Sequence, residues 1–533
     1  MSERWQLPGF SGRSGLGPAV DGRTVGEALL VLSVSLAVAL AGGAVGAFSM
    51  KVQLALAAGL IGVLGLLLIP HRRTLLIALW VLVEPLSVEK ILYTGPPLWE
   101  DLRGQELIIN GGDVLLIMLA CVLLRTTGLR WSRLASLFLL LAAWGLLSWL
   151  LHRYWLQDVY IHLAPLGLLH MLRNLALVVV VCSAIRTRAD LLWVLLATML
   201  ILGLESVLVV LSYRDHTAYN FARLLGQTIP LQTYTGGDAT VVRATGTLGV
   251  PNQQALFHVM FSLLLIGLLA LRHALFRKLA LLTLMASLGA VILTFARTAW
   301  LSSGLAGMLV GYLFLRAGEL GPRARLTAAM LALVMVGALA VLIQPVIDRL
   351  TVGDDGATDS RVRMMVLAGD LFQRNPIIGA GPAEYPEAGL VLYPPGYQAP
   401  EWVPLGSKPI VPPLGRIELA RARVTGQKDV IVPLSVHNKY LLTLSELGIV
   451  GLLIWLAIFA EFFRAIRVCA RATDRLLRFT GLAGFGVLLI ALLYQGLDQF
   501  VDDKTLQILL FPLLVIYAAA NLAREETQGR ASA

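Results

Sequence analysis

The sequence predicts an all-α polytopic membrane protein, and three observations support that prediction. Hydrophobic residues make up 57% of the 533 residues and charged residues only 14%, a balance that excludes an ordinary soluble domain. Apolar runs of about 18–22 residues recur along the chain, and each is long enough to cross a hydrocarbon core of about 30 Å. Arginines collect in alternate loops between these runs, as is typical of chains that cross a membrane repeatedly.

The apolar runs predict about fourteen transmembrane helices. In chain order, the candidate spans are 29–48, 52–69, 75–92, 113–124, 134–151, 168–181, 191–211, 251–271, 279–295, 298–315, 326–343, 440–462, 479–494 and 504–521.

The arginines set the predicted orientation. With the N-terminus inside, every short inner loop carries a basic cluster: Arg72 and Arg73; Arg125, Arg130 and Arg133; Arg186 and Arg188; Arg272, Arg277 and Lys278; Arg316, Arg323 and Arg325; and Arg464, Arg467, Arg471, Arg475 and Arg478. The positive-inside rule then places both termini in the cytoplasm. Topology thus explains most of the formal charge of +10, and we expect no nucleic-acid partner.

Spans and loops divide the chain into consecutive parts: a cytoplasmic N-terminus expected to be disordered (1–25), a transmembrane bundle with an outer loop at 212–250 (26–343), a long extracytoplasmic loop domain (344–436), C-terminal transmembrane helices (437–521) and a cytoplasmic tail (522–533). The first span is expected to act as an uncleaved signal anchor. The cysteines indicate no disulfide framework and no thiolate metal site, because they lie in spans or an inner segment: Cys121, Cys182 and Cys469.

The loop domain contains one predicted helix, over residues 360–374. Ser360 is suited to be its N-cap, and Asn375-Pro376 is a stop signal. Its apolar residues share one face, so we expect it at the membrane interface or on top of the bundle.

Arginines at the outer ends of distant segments form the first part of a candidate site. Arg243 shortly precedes the span at 251–271, and Arg297 lies in the turn between two spans. Arg361 and Arg363 open the predicted loop helix. A guanidinium stays charged at any relevant pH and binds phosphate oxygens through two parallel hydrogen bonds, which indicates a site for a lipid diphosphate. The alternative is that each arginine anchors its helix to the headgroups.

His437 lies where the long outer loop re-enters the membrane, followed by Asn438. An imidazole at that boundary can act as a general base near neutral pH, with Asn438 in a supporting position. The alternative is an interfacial histidine that caps a helix start.

Glu446 is interpreted as a structural carboxylate. Nine helical residues turn by about 900°, so Glu446 faces away from His437 on a straight helix. We expect Glu446 to be paired or hydrogen-bonded inside the bundle. The neighbouring Gly448 and Gly451 fit close helix packing.

Other charged residues inside spans should face the bundle interior or a wet cavity. Glu205 lies in the outer part of its span and could balance an outer arginine, whereas the sequence assigns no partner to Arg173 or His258. No metal site is indicated, since the aspartates that open the loop domain lack a ligand spacing: Asp354, Asp355 and Asp359.

Several of these motifs together resemble the O-antigen ligase/polymerase superfamily. They are RATGTLGVPN at 243–252, TFAR at 294–297, Arg361 through NPIIGAG at 375–381, and HNKYL at 437–441 with ELG at 446–448. They cover roughly residues 240–460, and the order and loop placement of the motifs make the resemblance specific. The flanking spans agree in architecture only.

The resemblance implies a GT-C-like, inverting, metal-independent glycosyltransferase of the bacterial cytoplasmic membrane that uses no cofactor. Its donor would be an undecaprenyl-diphosphate-linked glycan on the outer face, and its acceptor a glycan or glycolipid. His437 corresponds to the proposed base, and Arg243, Arg297 and one of Arg361 or Arg363 correspond to the diphosphate-binding arginines. Ala296 replaces the serine usual in the family's Ser-Arg pair, which puts a hydroxyl contribution there in doubt.

Two questions stay open at this point. The sequence does not separate a ligase, which transfers glycan to lipid A-core, from a polymerase, which extends another lipid-linked repeat. A transporter or flippase of an anionic lipid-linked sugar would use the same arginines without a base, and it should show broken spans in matched halves. No such repeat is visible in the hydrophobic pattern.

Overall fold

The computed structural model describes residues 72–86, 89–93, 107–156, 163–219, 231, 233–236, 239–318, 357–392, 436–497 and 503–532. The predicted N-terminus at 1–25, the spans 29–48, 52–69 and 326–343, and the loop domain from 393 to 435 lie outside these residues.

The described chain is mostly helical. Its helices are α1 Arg72–Val83, α2 Gly111–Thr126, α3 Arg133–Leu151, α4 Ala164–Ala184, α5 Arg188–Asp215, α6 Pro251–Leu264, α7 Ala274–Leu293, α8 Arg297–Arg316, α9 Ala357–Arg374, α10 Tyr385–Leu392, α11 Lys439–Ala470, α12 Arg475–Leu497 and α13 Asp503–Ser532. Two short antiparallel ladders accompany them, β1 (Glu89–Tyr93) with β2 (Leu107–Asn110) and β3 (Thr233–Gly236) with β4 (Ala239–Val242).

Nine of the described helices are long and apolar enough to cross a membrane, namely α3 to α8 and α11 to α13. Each overlaps a span predicted from the sequence, so the mostly helical, multi-pass architecture is confirmed. Helix α6 continues as a 3-10 helix over Leu265–Ala270, which brings that span to its full length.

The prediction of one continuous span over 75–92 is wrong. Helix α1 ends at Val83, a 3-10 turn over Glu84–Leu86 follows, and the chain then forms β1. Pro85 lacks the N–H that a continuing helix needs, and the buried carboxylate of Glu84 accepts a hydrogen bond from the Asn110 side chain at 3.2 Å. The chain therefore turns here instead of crossing.

Two other elements differ in length from their predictions. The span predicted at 113–124 is α2, a 16-residue helix about 24 Å long, which is shorter than a full crossing. The loop helix, α9, begins at Ala357, so Ser360 lies inside it and is not its N-cap. The helix ends at Arg374, directly before Asn375-Pro376.

Helices α6 and α13 form the centre of the bundle. Most of their side chains are buried, and their aromatic rings stack on one another. The ring centroids of Phe261 and Phe511 lie 5.6 Å apart, and Phe511 also contacts Trp80 of α1 at 4.6 Å. The surrounding helices expose large apolar side chains such as Leu282 and Met308, as a lipid-facing surface should.

Ion pairs tie the helices together at one end of the bundle, which we call the basic face. Asp190 of α5 lies 2.6 Å from the Arg73 guanidinium of α1 and also accepts a hydrogen bond from Thr74 at 2.5 Å. Arg188 pairs with Asp474 at 3.0 Å and Arg130 with Glu525 at 2.7 Å. The opposite face is the end at which α5 and α12 end and α6, α8 and α11 begin.

Between the spans on the basic face, Arg186 stabilises the turn after α2 by donating hydrogen bonds to the carbonyl groups of Thr127 and Gly128. Burial lowers the pKa of Arg186, and repulsion from Arg130 and Arg73 adds to that effect. An arginine has so high an ordinary pKa that this one stays charged at neutral pH.

We expect Asp190→Ala to destabilise the protein by about 3–5 kcal/mol, because it leaves the part-buried Arg73 guanidinium without its carboxylate and removes one half of the capping box at the start of α5. Glu525→Ala is the matched control, since the Arg130–Glu525 pair is about half exposed and worth about 0–1 kcal/mol. Melting temperatures of both variants in detergent test this. Equal melting temperatures for the two variants would contradict the assignment.

Candidate active site

The segment that carries Arg243 crosses the opposite face above the turn between α7 and α8. The Nε atom of Arg243 donates a hydrogen bond to the carbonyl of Thr294 at 3.1 Å, and its Nη2 atom donates to Oδ1 of Asn252 at 2.5 Å. The N–H of Ala244 donates to the carbonyl of Leu293 at 3.1 Å. One guanidinium therefore links the start of α6 to the α7–α8 turn.

Arg297 begins helix α8 directly after that turn. Phe295 has a positive φ of 50°, which gives the sharp reversal between the two spans. The N-cap residue of α8, Ala296, has no side-chain acceptor for the first N–H groups of the helix. Arg297 itself is half-buried. A cation at a helix N-terminus opposes the helix dipole, and an anion near this position would interact favourably with both the guanidinium and the helix end.

The start of α11 is attached to the end of α12. Asn438 caps α11 by accepting a hydrogen bond from the N–H of Leu441 at 3.0 Å, and its Nδ2 atom donates to the carbonyl of Gly496 at 3.2 Å. The Tyr440 hydroxyl donates to the carbonyl of Leu492 at 3.0 Å. His437 precedes this cap and is half-buried.

The last turn of α12 joins the two groups of residues. The Tyr494 hydroxyl donates a hydrogen bond to the carbonyl of Asn252, the partner of Arg243, at 2.7 Å. Gly496, which holds Asn438, lies two residues further on, a rise of about 3 Å. Arg243 and His437, which are far apart in the chain, are thus anchored to one helix end, and Arg297 joins them through the Thr294 turn.

Arg361 and Arg363 lie on α9, but their side chains are outside the described residues. The helix itself borders the same region. Its buried Leu367 and Leu371 belong to one apolar cluster with Val436, the residue before His437, and with Leu442 of α11.

Helix α11 is broken at Gly448, and the segment 376–381 fills the break. Gly448 has a φ of 66° and a ψ of −169°, so its backbone is not helical. The N–H groups of Ala380 and Gly381 donate to the carbonyls of Ser445 and Glu446, both at 2.8 Å. In return, the N–H of Ile449 donates to the carbonyl of Pro376 at 2.9 Å.

Two glycines make this insertion possible. Gly379 has a φ of 69°, and a Cβ atom there would lie 2.2 Å from the carbonyl carbon of Glu446. A Cβ atom on Gly448 would lie 2.1 Å from the carbonyl oxygen of Ile377. The expectation of close helix packing at Gly448 is therefore wrong, because the close neighbour is a loop backbone.

Helix α3 supports the insertion from the side. Trp144 donates from Nε1 to the carbonyl of Leu447 at 2.8 Å, and Ser148 donates from Oγ to the carbonyl of Ile378 at 2.9 Å. The Nε2 atom of His152 lies 2.8 Å from the carbonyl oxygen of Gly379. These three residues were not singled out from the sequence, although their spacing of four places them on one helix face within an apolar run.

Glu446 is buried, and its carboxylate accepts hydrogen bonds from the N–H groups of Ala383 and Tyr385. The next carboxylate, Glu384, accepts from the N–H of Ala164 at the start of α4 at 2.6 Å. Burial raises the pKa of the Tyr385 phenol, and the nearby Glu446 carboxylate raises it further. The contacts of Glu446 thus fix the loop that follows the insertion.

Glu205 is buried beneath the Arg243 segment. Its carboxylate accepts hydrogen bonds from the N–H of Thr247 at 3.0 Å, the hydroxyl of Thr247 at 2.5 Å and the side chain of Gln254 at 3.1 Å. These contacts hold the backbone of the 243–250 segment. His258 continues the same network, with its Nδ1 atom 2.9 Å from the Ser287 hydroxyl.

Arg173, to which the sequence assigns no partner, pairs with Asp113. Its Nε and Nη2 atoms donate to the two oxygens of that carboxylate, both at 2.7 Å. Asp113 also forms a capping box with Asn110 at the start of α2. The spacing of Asn110 and Asp113 is the signal from which this end of α2 was predictable.

Gly448→Ala should destabilise the protein by about 2–6 kcal/mol, because the new side chain combines an unfavourable backbone conformation with overlap on the inserted loop. Gly304→Ala in α8 is a control with nothing within 4 Å of the added carbon. Melting temperature and yield of monodisperse protein in detergent measure the effect. A Gly448→Ala protein as stable as the control would show that the break is not held in this way.

A comparison of the chain with proteins of curated function gave no match. Residues 280–456 match the model of a family described as O-antigen ligase. That region contains the α7–α8 turn with Arg297, helix α9, the inserted segment 376–381 and the His437–Gly448 stretch, whereas Arg243 lies before it. The resemblance to the O-antigen ligase/polymerase superfamily is therefore confirmed over residues 280–456.

Proposed function

We propose that this membrane protein is an inverting, metal-independent glycosyltransferase that moves an undecaprenyl-diphosphate-linked glycan onto a hydroxyl group of a glycan or glycolipid acceptor. The observation that carries the proposal is the attachment of the Arg243, Arg297 and His437 segments to one end of α12. The family match over 280–456 supports the same reaction class.

Under this proposal the opposite face is extracytoplasmic and the basic face is cytoplasmic. The arginines of the basic face supply the reason, because short cytoplasmic loops of membrane proteins are enriched in arginine and lysine. The donor glycan would then be used on the outer side of the bacterial cytoplasmic membrane, where its polyprenyl chain stays in the bilayer beside the site.

In the proposed reaction, Arg243 and Arg297, with one of Arg361 or Arg363, bind the diphosphate of the donor. The acceptor oxygen attacks the anomeric carbon from the side opposite the diphosphate, and its proton passes to the imidazole of His437. The bond between the anomeric carbon and the diphosphate oxygen breaks, and undecaprenyl diphosphate leaves with the electron pair. Guanidinium groups fixed before the reaction stabilise that developing charge.

The hydrogen bonds of Arg243 fit this role. Its Nε and Nη2 atoms donate hydrogen bonds to Thr294 and Asn252, and these bonds fix the plane of the guanidinium before a substrate binds. Cations held in this way cost little reorganisation when the leaving group develops its charge.

The break in α11 raises the transport alternative, because transporters bind ions at broken helices. Here the carbonyls of Ser445, Glu446 and Leu447 accept hydrogen bonds from Ala380, Gly381 and Trp144. The protein itself therefore fills the break, which favours an enzyme over a carrier.

His437→Asn should reduce glycan transfer by about 10²–10⁴-fold, since an amide cannot accept the proton of the acceptor hydroxyl. Binding of the donor should be retained, because the arginines are unchanged. His216→Asn is the control, as His216 is an exposed histidine at the end of α5 on the same face.

The assay uses purified protein in detergent with a lipid-diphosphate-linked glycan. Product formed without a closed membrane excludes transport as the activity. Growth of lipid-linked chains without a second acceptor identifies a polymerase, and dependence on added lipid A-core identifies a ligase. Full transfer by His437→Asn would reject the assigned base.

Arg297→Lys should weaken donor binding or turnover by about 10- to 100-fold, because a lysine cannot replace the paired hydrogen bonds of a guanidinium. Arg316→Lys, at the other end of α8 on the basic face, makes the same change away from the site and should have no effect. The comparison of kcat/KM for the two variants tests the role. Equal values would assign Arg297 to membrane anchoring.

A further inference from the structure

A cavity of about 730 Å³ opens on the basic face, between the ends of α11 and α13. Its lining includes Phe463, Arg464 and Arg467 from α11, Arg471 directly after that helix, and Glu526 from α13. The cavity lies at the other end of α11 from His437, so it is separate from the proposed reaction site.

The lining changes from apolar to cationic along α11. Ala460 and Phe463 lie nearest the membrane interior, and Arg464, Arg467 and Arg471 follow toward the basic face. From Ala460 to Arg471 the helix rises by about 16 Å. A ligand that matches this order has an apolar part at membrane depth and an anionic part at the level of the headgroups.

The arginines of the cavity differ from the other arginines of the basic face. Arg73, Arg130 and Arg188 each pair with a carboxylate of another helix or turn. In the cavity, Arg464 is held by Glu461 at 2.6 Å, and Arg467 packs on the ring of Phe463 at 5.8 Å.

Within the described part of the chain, neither Arg467 nor Arg471 forms an ion pair, and both side chains are exposed. Glu526 is the one carboxylate in the cavity lining. The cavity lining therefore carries a net positive charge. Arginines that only set the membrane orientation need not surround a cavity, so this arrangement indicates a bound anion.

We propose that this cavity binds one anionic phospholipid from the leaflet at the basic face. The phosphate group contacts Arg467 and Arg471, and an acyl chain lies along Phe463 and Ala460. Basic pockets between transmembrane helices bind anionic headgroups in this way, and the bilayer supplies such lipids at the depth of the cavity. A bound lipid would connect α11 to α13, one of the two central helices of the bundle.

The test measures lipid retention by the full-length protein in detergent, by native mass spectrometry, with phosphatidylglycerol or phosphatidylcholine of the same acyl chains. We expect about one phosphatidylglycerol per chain to be retained in preference to phosphatidylcholine. In Arg467→Gln/Arg471→Gln, binding should weaken by about 30-fold, as expected for two arginines near a lipid headgroup.

The matched control is Arg125→Gln/Arg316→Gln, which removes two exposed arginines of the basic face outside the cavity. It should retain the lipid as the unchanged protein does. Equal loss in both double variants would reject the cavity in favour of general surface charge. Displacement of the lipid by inorganic phosphate alone would reject the lipid assignment. If the unchanged protein shows no preference for phosphatidylglycerol over phosphatidylcholine, the proposal is rejected even where a variant fails to fold.

Discussion

Hydrocarbon cannot hydrogen-bond to a polypeptide, so a break in a membrane helix persists only where protein satisfies the freed backbone groups. Helix α11 breaks at Gly448, and residues 376–381 supply the missing donors and an acceptor from a segment outside the spans. This exchange of backbone hydrogen bonds joins the loop to the bundle. The geometry of the opposite face depends on it, because the segment 376–381 and the residues around His437 are both joined to the first turns of α11.

The consequences reach the candidate site from two directions. On one side, the inserted segment leads to Glu384, which binds the start of α4, and to Tyr385, which lies beneath α9. On the other side, the first turns of α11 lead back to His437 and to Asn438, whose side chain donates a hydrogen bond to Gly496 of α12. Glu446 connects the two sides, because its carboxylate accepts hydrogen bonds from the N–H groups of Ala383 and Tyr385. A substitution at Glu446 would therefore act on the site by position and not by chemistry.

The sequence predicted most of the bundle, because apolar runs and arginine-rich loops report on each span separately. It also singled out Arg243, Arg297 and His437 as candidates, because polar residues at the ends of apolar runs are conspicuous, and their roles stay predictions. The end of α1 was missed because the run around Glu84 and Pro85 is otherwise apolar. The Asn110 side chain, which donates a hydrogen bond to the buried Glu84 carboxylate, lies 26 residues further along the chain. The pairing of Arg173 with Asp113 was missed for a similar reason, as partners on different helices share no period.

The break at Gly448 could not be predicted from the sequence, for a different reason. It depends on backbone groups about seventy residues away in the chain, and backbone N–H and C=O groups are the same whatever the residue type. Only the glycines at 379 and 448 mark it, and each one alone fits several other interpretations. The convergence on α12 has the same character, because the carbonyls of Asn252 and Gly496 serve as acceptors whatever their side chains.

In the proposed function, chain-distant arginines and one histidine surround the same substrate at the end of α12. An experimental structure of the protein with a bound polyprenyl diphosphate tests it most directly. We expect the diphosphate within hydrogen-bonding distance of the Arg243 and Arg297 guanidinium groups, with the His437 imidazole on the side from which an acceptor would attack. A diphosphate bound elsewhere, with His437 facing away from it, would show that these residues do not form one site.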